Sequence, residues 1–439
     1  MLLFLELNEV NFDHLALYFE KGELPNLAAL VKQHGVAETT SESRYEELEP
    51  WIQWVTAHTG LALDQHGVFR LGDIVNHDLP QIWETLESAG LKVGAISPMN
   101  ANNACKNAAF FLPDPWTPAR LTAGPVLRGL YSAVSQAVND NAQSKITLGS
   151  FLKLIAGAAV YARPLNFAAY IRTARMARRK PWQRSMFLDL LLTDVFVKNV
   201  KRSRPDFASL FLNAAAHIQH HYMFNSAAYD GDLSNPEWYL QPGNDPVLDV
   251  YRLYDRIVGQ VRDAFPEARL MLATGLHQVP HSDVTFYWRL KSHRSFLDKL
   301  EAPYDRVKAR MSRDFVIYCS SPEDAKVTAA KLEACRALDG EPLFDVDNRG
   351  SDIFAMLVYP SDIGPEFAFT MGNQRIEGFR DDVAFVAIKN GQHNGTGYFV
   401  DSGSETAATP ERFPLSEMPR YVCGALGVTW SQSMTRAAQ

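Results

Sequence analysis

Short uninterrupted apolar runs alternate with longer amphipathic stretches along most of the chain. Residues 2–7 (LLFLEL) read as a buried strand, followed by a helix through Phe12 to Phe19 and a second helix after the turn in GELPNLAALVKQHG. GLKVGAISP at 90–98, PDFASLFLNA at 205–214 and ARLMLATG at 268–275 are further apolar runs of strand length. The helical patterns PQIWETLESAG (80–90) and DPVLDVYRLYDRIVGQVRDAF (245–265) stand before two of them. Strands that are apolar on both faces and alternate with helices predict an α/β fold, a central mostly parallel sheet sandwiched by helices.

Two segments break the rhythm and divide the chain. Residues 1–110 form the first part of the α/β core, and 111–204 read as a helical, basic insertion. Residues 205–300 return to the core. Residues 301–374, with a strand at Phe315 to Cys319, a helix opened by Ser321 and Pro322, and a strand in GSDIFAMLVYP, predict a small α+β insert. Residues 375–439 complete the core, with a closing helix in MPRYVCGALGV and a polar, fraying tail.

Composition changes this picture little: at 439 residues, 46% hydrophobic and 21% charged, the chain is a folded protein of enzyme size. Its four cysteines form no C-x-x-C pair, which suggests neither a disulfide framework nor a thiolate zinc site. The opening MLLFLELNE reaches Glu6 after too few apolar residues for a signal peptide, so a cytoplasmic location is expected. Charge adds more. The net charge of −7 argues against specific nucleic-acid binding, yet residues 151–204 hold twelve Lys and Arg against only Asp189 and Asp194. Such a segment is a solvated surface, a dock for a polyanionic substrate, or a peripheral contact with an anionic membrane.

Several motifs, in their order, carry a resemblance. They are FDHL with GELPNLAALVKQHG, Thr59-Gly60 followed by His66-Gly67, GLKVGAISPMN, FFLPDPWTP, LFLNAAAHIQHH, LMLATGLHQ and GQHNGTGYF. Together they resemble the alkaline phosphatase superfamily, in its type I phosphodiesterase and nucleotide pyrophosphatase branch, almost end to end. The resemblance implies an alkaline-phosphatase-like sheet, divalent metals, often zinc, at the strand ends, and cleavage of phosphate esters by a Thr or Ser nucleophile.

Carried over residue by residue, the family pattern is only partly kept. Asn8 stands where the family has a metal-binding Asp, with Glu6 and Glu9 beside it, and an amide oxygen is a poorer zinc ligand than a carboxylate. The nucleophile position falls on Pro50, which has no nucleophilic atom. Gln53 takes the place of an Asn that contacts the phosphoryl group. The family D-x-x-x-H becomes Ala216 to His220, and its D-H pair becomes Leu276-His277. His393, within G-x-H-x-x-x-G, matches the last metal His. His217, His220 and His221 would share one helix face, where His217 could replace a lost carboxylate or all three could be ordinary helix histidines.

The expected metal set is therefore Asn8, His217, His220, His277 and His393, holding one divalent ion, zinc by donor type, or none. Glu49 and Gln53 are the candidate catalytic residues, Glu49 as a general base for water in place of the missing nucleophile. Its bland alternative is a solvated carboxylate in the first turn of a helix. Two functions remain open. One is a metal-assisted phosphoric ester hydrolase or transferase, phosphodiesterase-like, with direct attack by water on an anionic substrate. The other is a catalytically silent member that binds an anionic ligand or a partner protein.

Overall fold

The computed structural model describes residues 1–139, 148–310, 313–403 and 410–431; the polar tail after 431 and residues 140–147 of the basic insertion lie outside them. The labelled strands are β1 (Leu2–Leu7), β2 (Ala37–Thr40), β3 (Val93–Ile96), β4 (Phe110–Leu112), β5 (Phe207–Leu212), β6 (Arg269–Ala273) and β7 (His277–Leu290). The main sheet has eight strands in the order Arg412–Pro414, β2, Thr396–Asp401, β6, β1, β5, β3, β4. β6, β1, β5, β3 and β4 are mutually parallel; Thr396–Asp401 is antiparallel to both neighbours. The mostly parallel sheet expected from the apolar runs is what the chain forms.

β1 shows why both faces must be covered. Its odd residues Leu3, Leu5 and Leu7 enter one core with the helices Phe12–Glu20, Pro25–His34, Gln183–Ser203 and Pro246–Ala264. Leu2 and Phe4 point the other way, into a core shared with Trp54, Trp83 and Met418. The next residue of that second set is Glu6, which meets His58 at 2.9 Å with neither side chain exposed. Strand phase thus commits Glu6 beneath the sheet, away from its carboxyl-terminal rim.

Two differences from the sequence pattern matter. FFL at 110–112 is not the start of the helical insertion but the edge strand of the sheet, paired in parallel with β3, and the helices begin at Pro125–Asn139. β7 and Val383–Asn394 form a long antiparallel ribbon, which Pro280 and two register shifts hide from a strict alternation. The ribbon's far end, with Trp288, Leu290 and Val383, belongs to a third core that also holds Phe315, Ile317, Leu332 and Ile353. That core surrounds the four-stranded antiparallel sheet and the helix Pro322–Glu333, so it extends past the 301–374 window on both sides. The near end of the ribbon carries His277 and His393 to the carboxyl ends of the parallel strands, where open α/β sheets place their sites.

Candidate metal centre

Glu9 sits two residues beyond β1 with φ of +61°, a left-handed conformation uncommon for a residue with a Cβ. Its backbone is fixed on both sides, because its N–H donates to Thr274 O at 3.1 Å and Gln219 Nε2 donates to its carbonyl at 2.8 Å. In this turn the Glu9 carboxylate stands beside His220 and His393. His220 comes from the helix Ala214–Tyr222 that follows β5; the first turn of that helix is tied by Ala214 N–H to Asp189 Oδ2 at 2.8 Å. His393 comes from the ribbon, which packs closely because a side chain at Gly391 would stand 2.9 Å from Gln219 O.

These three side chains converge. His220 Nε2 lies 3.2 Å and His393 Nε2 3.3 Å from Glu9 Oε2, and the two imidazole nitrogens are 3.2 Å apart. A tetrahedral zinc with bonds of about 2.0 to 2.1 Å separates its ligand atoms by about 3.3 Å. The residues present therefore fit one such cation, through two imidazoles and one carboxylate. Burial alone would raise the Glu9 pKa, but the His393 and His220 charges and hydrogen bonds hold it well below the usual carboxylate range. Burial lowers His393, and the larger combined pull of Glu9 and Glu49 leaves it raised.

Glu49 precedes the helix Pro50–Thr59 but makes no side-chain cap bond to it. Its carboxylate turns into the site instead, 3.8 Å from His393 Nδ1 with about a third of the side chain exposed (34%). Desolvation pushes its pKa up to about 7; Glu9 and Asp314 push the same way, while His393 and Lys389 oppose them. Lys389 adds positive charge beside Glu49, and its own pKa is lowered first by burial and then by the like charge of Arg313. Gln53 is fully buried, with Nε2 donating to Glu47 O at 2.9 Å and Oε1 unpaired.

The remaining expected ligands are placed elsewhere. Asn8 donates through Nδ2 to Glu9 Oε1 at 3.0 Å and to Asn213 Oδ1 at 2.8 Å, while its Oδ1 accepts from Trp54 Nε1 at 2.7 Å. It orients Glu9, and its own oxygen is turned to the Trp54 indole. His217 packs edge-on against His221, ring centroids 5.0 Å apart, outside the group. His277 faces Tyr398 and has its Nδ1 2.7 Å from Thr396 O. In the ribbon it is Gln278, not His277, that stands opposite His393, and Gln278 Nε2 donates to Glu9 Oε2 and, at 3.0 Å, to Ala216 O. The Thr59-Gly60 and His66-Gly67 motifs are structural: Gly60 and Gly67 end their helices in left-handed conformations, and His66 bonds within its own turn.

Glu9, Gln278, Lys389 and Arg313 were not singled out from sequence. Only the acidic pair around Asn8 gave a signal for Glu9, and nothing in the residue pattern separated Glu9 from Glu6.

The site therefore brings three side-chain atoms able to ligate a metal together at the rim of a parallel sheet, with an acid beside them. No protein-family profile matches the sequence, and no curated protein matches it. Among solved structures, the chain is similar to phosphonoacetate hydrolase from Sinorhizobium meliloti 1021 in complex with phosphonoformate, at 13% identity and a TM-score of 0.46, over 97% of this chain and 95% of that one. It is similar also to murine ectonucleotide pyrophosphatase/phosphodiesterase 5 in complex with AMP, at 11% identity and a TM-score of 0.46, over 98% and 95%. The human form of that protein matches at 10% identity and a TM-score of 0.43, over 98% and 96%. The latter two bear the name of the branch that the motifs resemble. At such identities and scores the likeness is one of chain course and carries no inference about chemistry.

Proposed function

We propose that the protein is a metal-assisted hydrolase or transferase of phosphoric esters, with a preference for diesters and direct attack by water. The reading is carried by Glu9, His220 and His393, whose ligand atoms are spaced for one zinc-sized cation and leave a fourth position open. When bound, that cation supplies Lewis-acid polarisation of a phosphoryl oxygen and acidifies a water. Glu49, raised to about 7 and next to His393, takes the proton from the attacking water. Lys389 offsets the charge of the phosphoryl group. One metal position with one side-chain cation suits the single charge of a diester better than the double charge of a monoester. Gln53 contacts the phosphoryl group only by exchanging its bond to Glu47 O.

A second reading, a catalytically silent protein that binds an anion, is favoured by Pro50 and by the amides of Asn8 and Gln278 that already donate to Glu9. Elemental analysis of protein purified in zinc-replete medium, paired with turnover of bis(p-nitrophenyl) phosphate, separates the two. The hydrolase reading expects one metal per chain, activity lost on chelation and restored by metal, and Glu9→Gln protein with reduced metal content. Metal-free wild-type protein with no turnover would establish the silent reading.

A further inference from the structure

Large apolar side chains are concentrated on one part of the surface. Val160, Leu165, Phe167 and Ile171 are 47 to 54% exposed, four of the fourteen exposed large apolar residues of the described chain, and they fall within twelve positions. Exposed apolar side chains scattered singly need no explanation, whereas a contiguous group rimmed by charge does. Val160 stands at the end of the preceding helix Leu148–Tyr161, and the other three lie on and just before the helix Phe167–Met176, whose opposite face is packed through Ala169, Tyr170 and Thr173. Phe167 and Ile171 are one helical turn apart, and the same stripe continues into Arg175, with Arg178 in the turn beyond the helix.

Residues 164–184 carry no acid. Arg172, Arg175, Arg178, Arg179 and Arg184 are exposed, and no ion pair among the described residues engages them. Both acids of the 151–204 segment are turned inward: Asp189 accepts from Ala214 N–H and Tyr254 OH, and Asp194 binds Arg163. A cavity of about 170 Å³ opens beside the helix, with Arg172, Arg252 and Arg256 around an apolar wall that includes Met176 and Met186. Asp249 also lines it, occupied by Trp182 Nε1 at 3.0 Å, and Arg252 is paired with Glu23. Arg256 is held below its usual pKa by burial and then by the like charge of Arg172, so a negative group between them would relieve repulsion.

We infer that Leu165, Phe167 and Ile171, with the arginines around them, form a docking face for the surface of an anionic phospholipid bilayer. A helix of this kind lies in the interface plane, apolar side chains among the acyl chains and arginines at the headgroups. The charge selects an anionic partner, and the exposed phenylalanine and isoleucine distinguish a bilayer from a soluble polyanion, which offers no apolar phase. No helix of the described chain is long and apolar enough to cross a membrane, so the contact is peripheral. The inference stands apart from the metal site and survives if that site proves silent.

Co-sedimentation of the full chain with vesicles tests it. Wild type is expected to bind vesicles of equal parts phosphatidylcholine and phosphatidylserine and not vesicles of phosphatidylcholine alone, with binding lost as salt rises. The triple variant Arg175→Gln, Arg178→Gln, Arg179→Gln should bind at least about tenfold more weakly. Phe167→Ser with Ile171→Ser, which keeps every charge, should also weaken binding severalfold, each variant keeping the wild-type thermal midpoint because the altered side chains are exposed. Wild type that ignores anionic vesicles, or a Phe167/Ile171 variant that binds them as tightly as wild type, would overturn the inference; the second result would leave only a polyanion face.

Discussion

His220 Nε2 and His393 Nε2 stand 3.2 Å apart although 173 residues separate them in sequence. One is held on a helix that leaves the parallel sheet, the other on a ribbon rooted in the insert's core, and neither element touches the other through regular strand pairing. The two imidazole nitrogens reach a shared carboxylate because the ribbon packs directly on that helix, Gly391 against the Gln219 carbonyl.

Glu49 is the residue whose loss should separate metal binding from chemistry. Glu49→Gln removes the proton acceptor but none of the three ligand atoms. The expected outcome is a kcat lower by roughly a hundredfold or more with metal content unchanged, read by steady-state kinetics and elemental analysis on the same preparation. Undiminished kcat would assign the proton to another group.

Pro50 occupies the first position of its helix and offers no oxygen for a covalent intermediate. A diester made chiral at phosphorus should therefore be hydrolysed with inversion, and rapid quench should trap no phosphorylated protein. Net retention, or an adduct on Thr56 or Thr59, would mean that a hydroxyl of this helix acts as nucleophile.

His66 supplies a pH dependence remote from the metal centre. Burial, then the charge of His77, holds its pKa down to about 4 from 6.5, and its Nδ1 accepts the Val68 N–H at 3.0 Å. The unfolded chain takes up a proton near 6.5 that the folded protein refuses until about 4. The stabilisation is thus present above 6.5 and lost as pH falls through this window, on the order of 3 kcal/mol in total. Denaturant titrations at several pH values should show a shallower acid decline in His66→Asn than in wild type. His14 and His293 are lowered in the same direction, so the difference between the two proteins isolates His66.

Asp194 is fully buried and accepts from Arg163 Nε at 2.7 Å, Arg163 N–H at 2.8 Å, Asn166 Nδ2 at 2.7 Å and Tyr170 OH at 2.9 Å. Asp194→Ala leaves the Arg163 charge buried without its partner, and should cost about 3 to 5 kcal/mol in equilibrium unfolding. A loss below about 1 kcal/mol would show that water readily replaces the carboxylate.

The sheet was legible because LLFLEL, FASLFL and RLMLA are apolar on both faces, a property the chain needs only in buried parallel strands. The ribbon was not, since its bulges break the two-residue period and Pro280 interrupts it. In the site, His220 and His393 could be found from their motifs. Glu9 could not be told from Glu6, because Glu9 lies beyond the end of β1 in a left-handed turn that the residue pattern does not announce. His277 and Gln278 are neighbours on a strand and so face opposite ways; only the pairing register with His393 decides which one enters the cluster.

The antiparallel strand Thr396–Asp401 lies inside the sheet, between β2 and β6, and His393 precedes it by only a few residues. A ribosome synthesising this chain releases β2 and β6 long before the strand that joins them. Until residue 401 has emerged, β2 has no route into the sheet and Glu9 and His220 wait without their third ligand. Non-local closure of this kind is slow and exposes unpaired strand edges meanwhile. The three side chains of the proposed metal site therefore meet only after residue 393 has emerged, and until then the sheet keeps an open edge at β6.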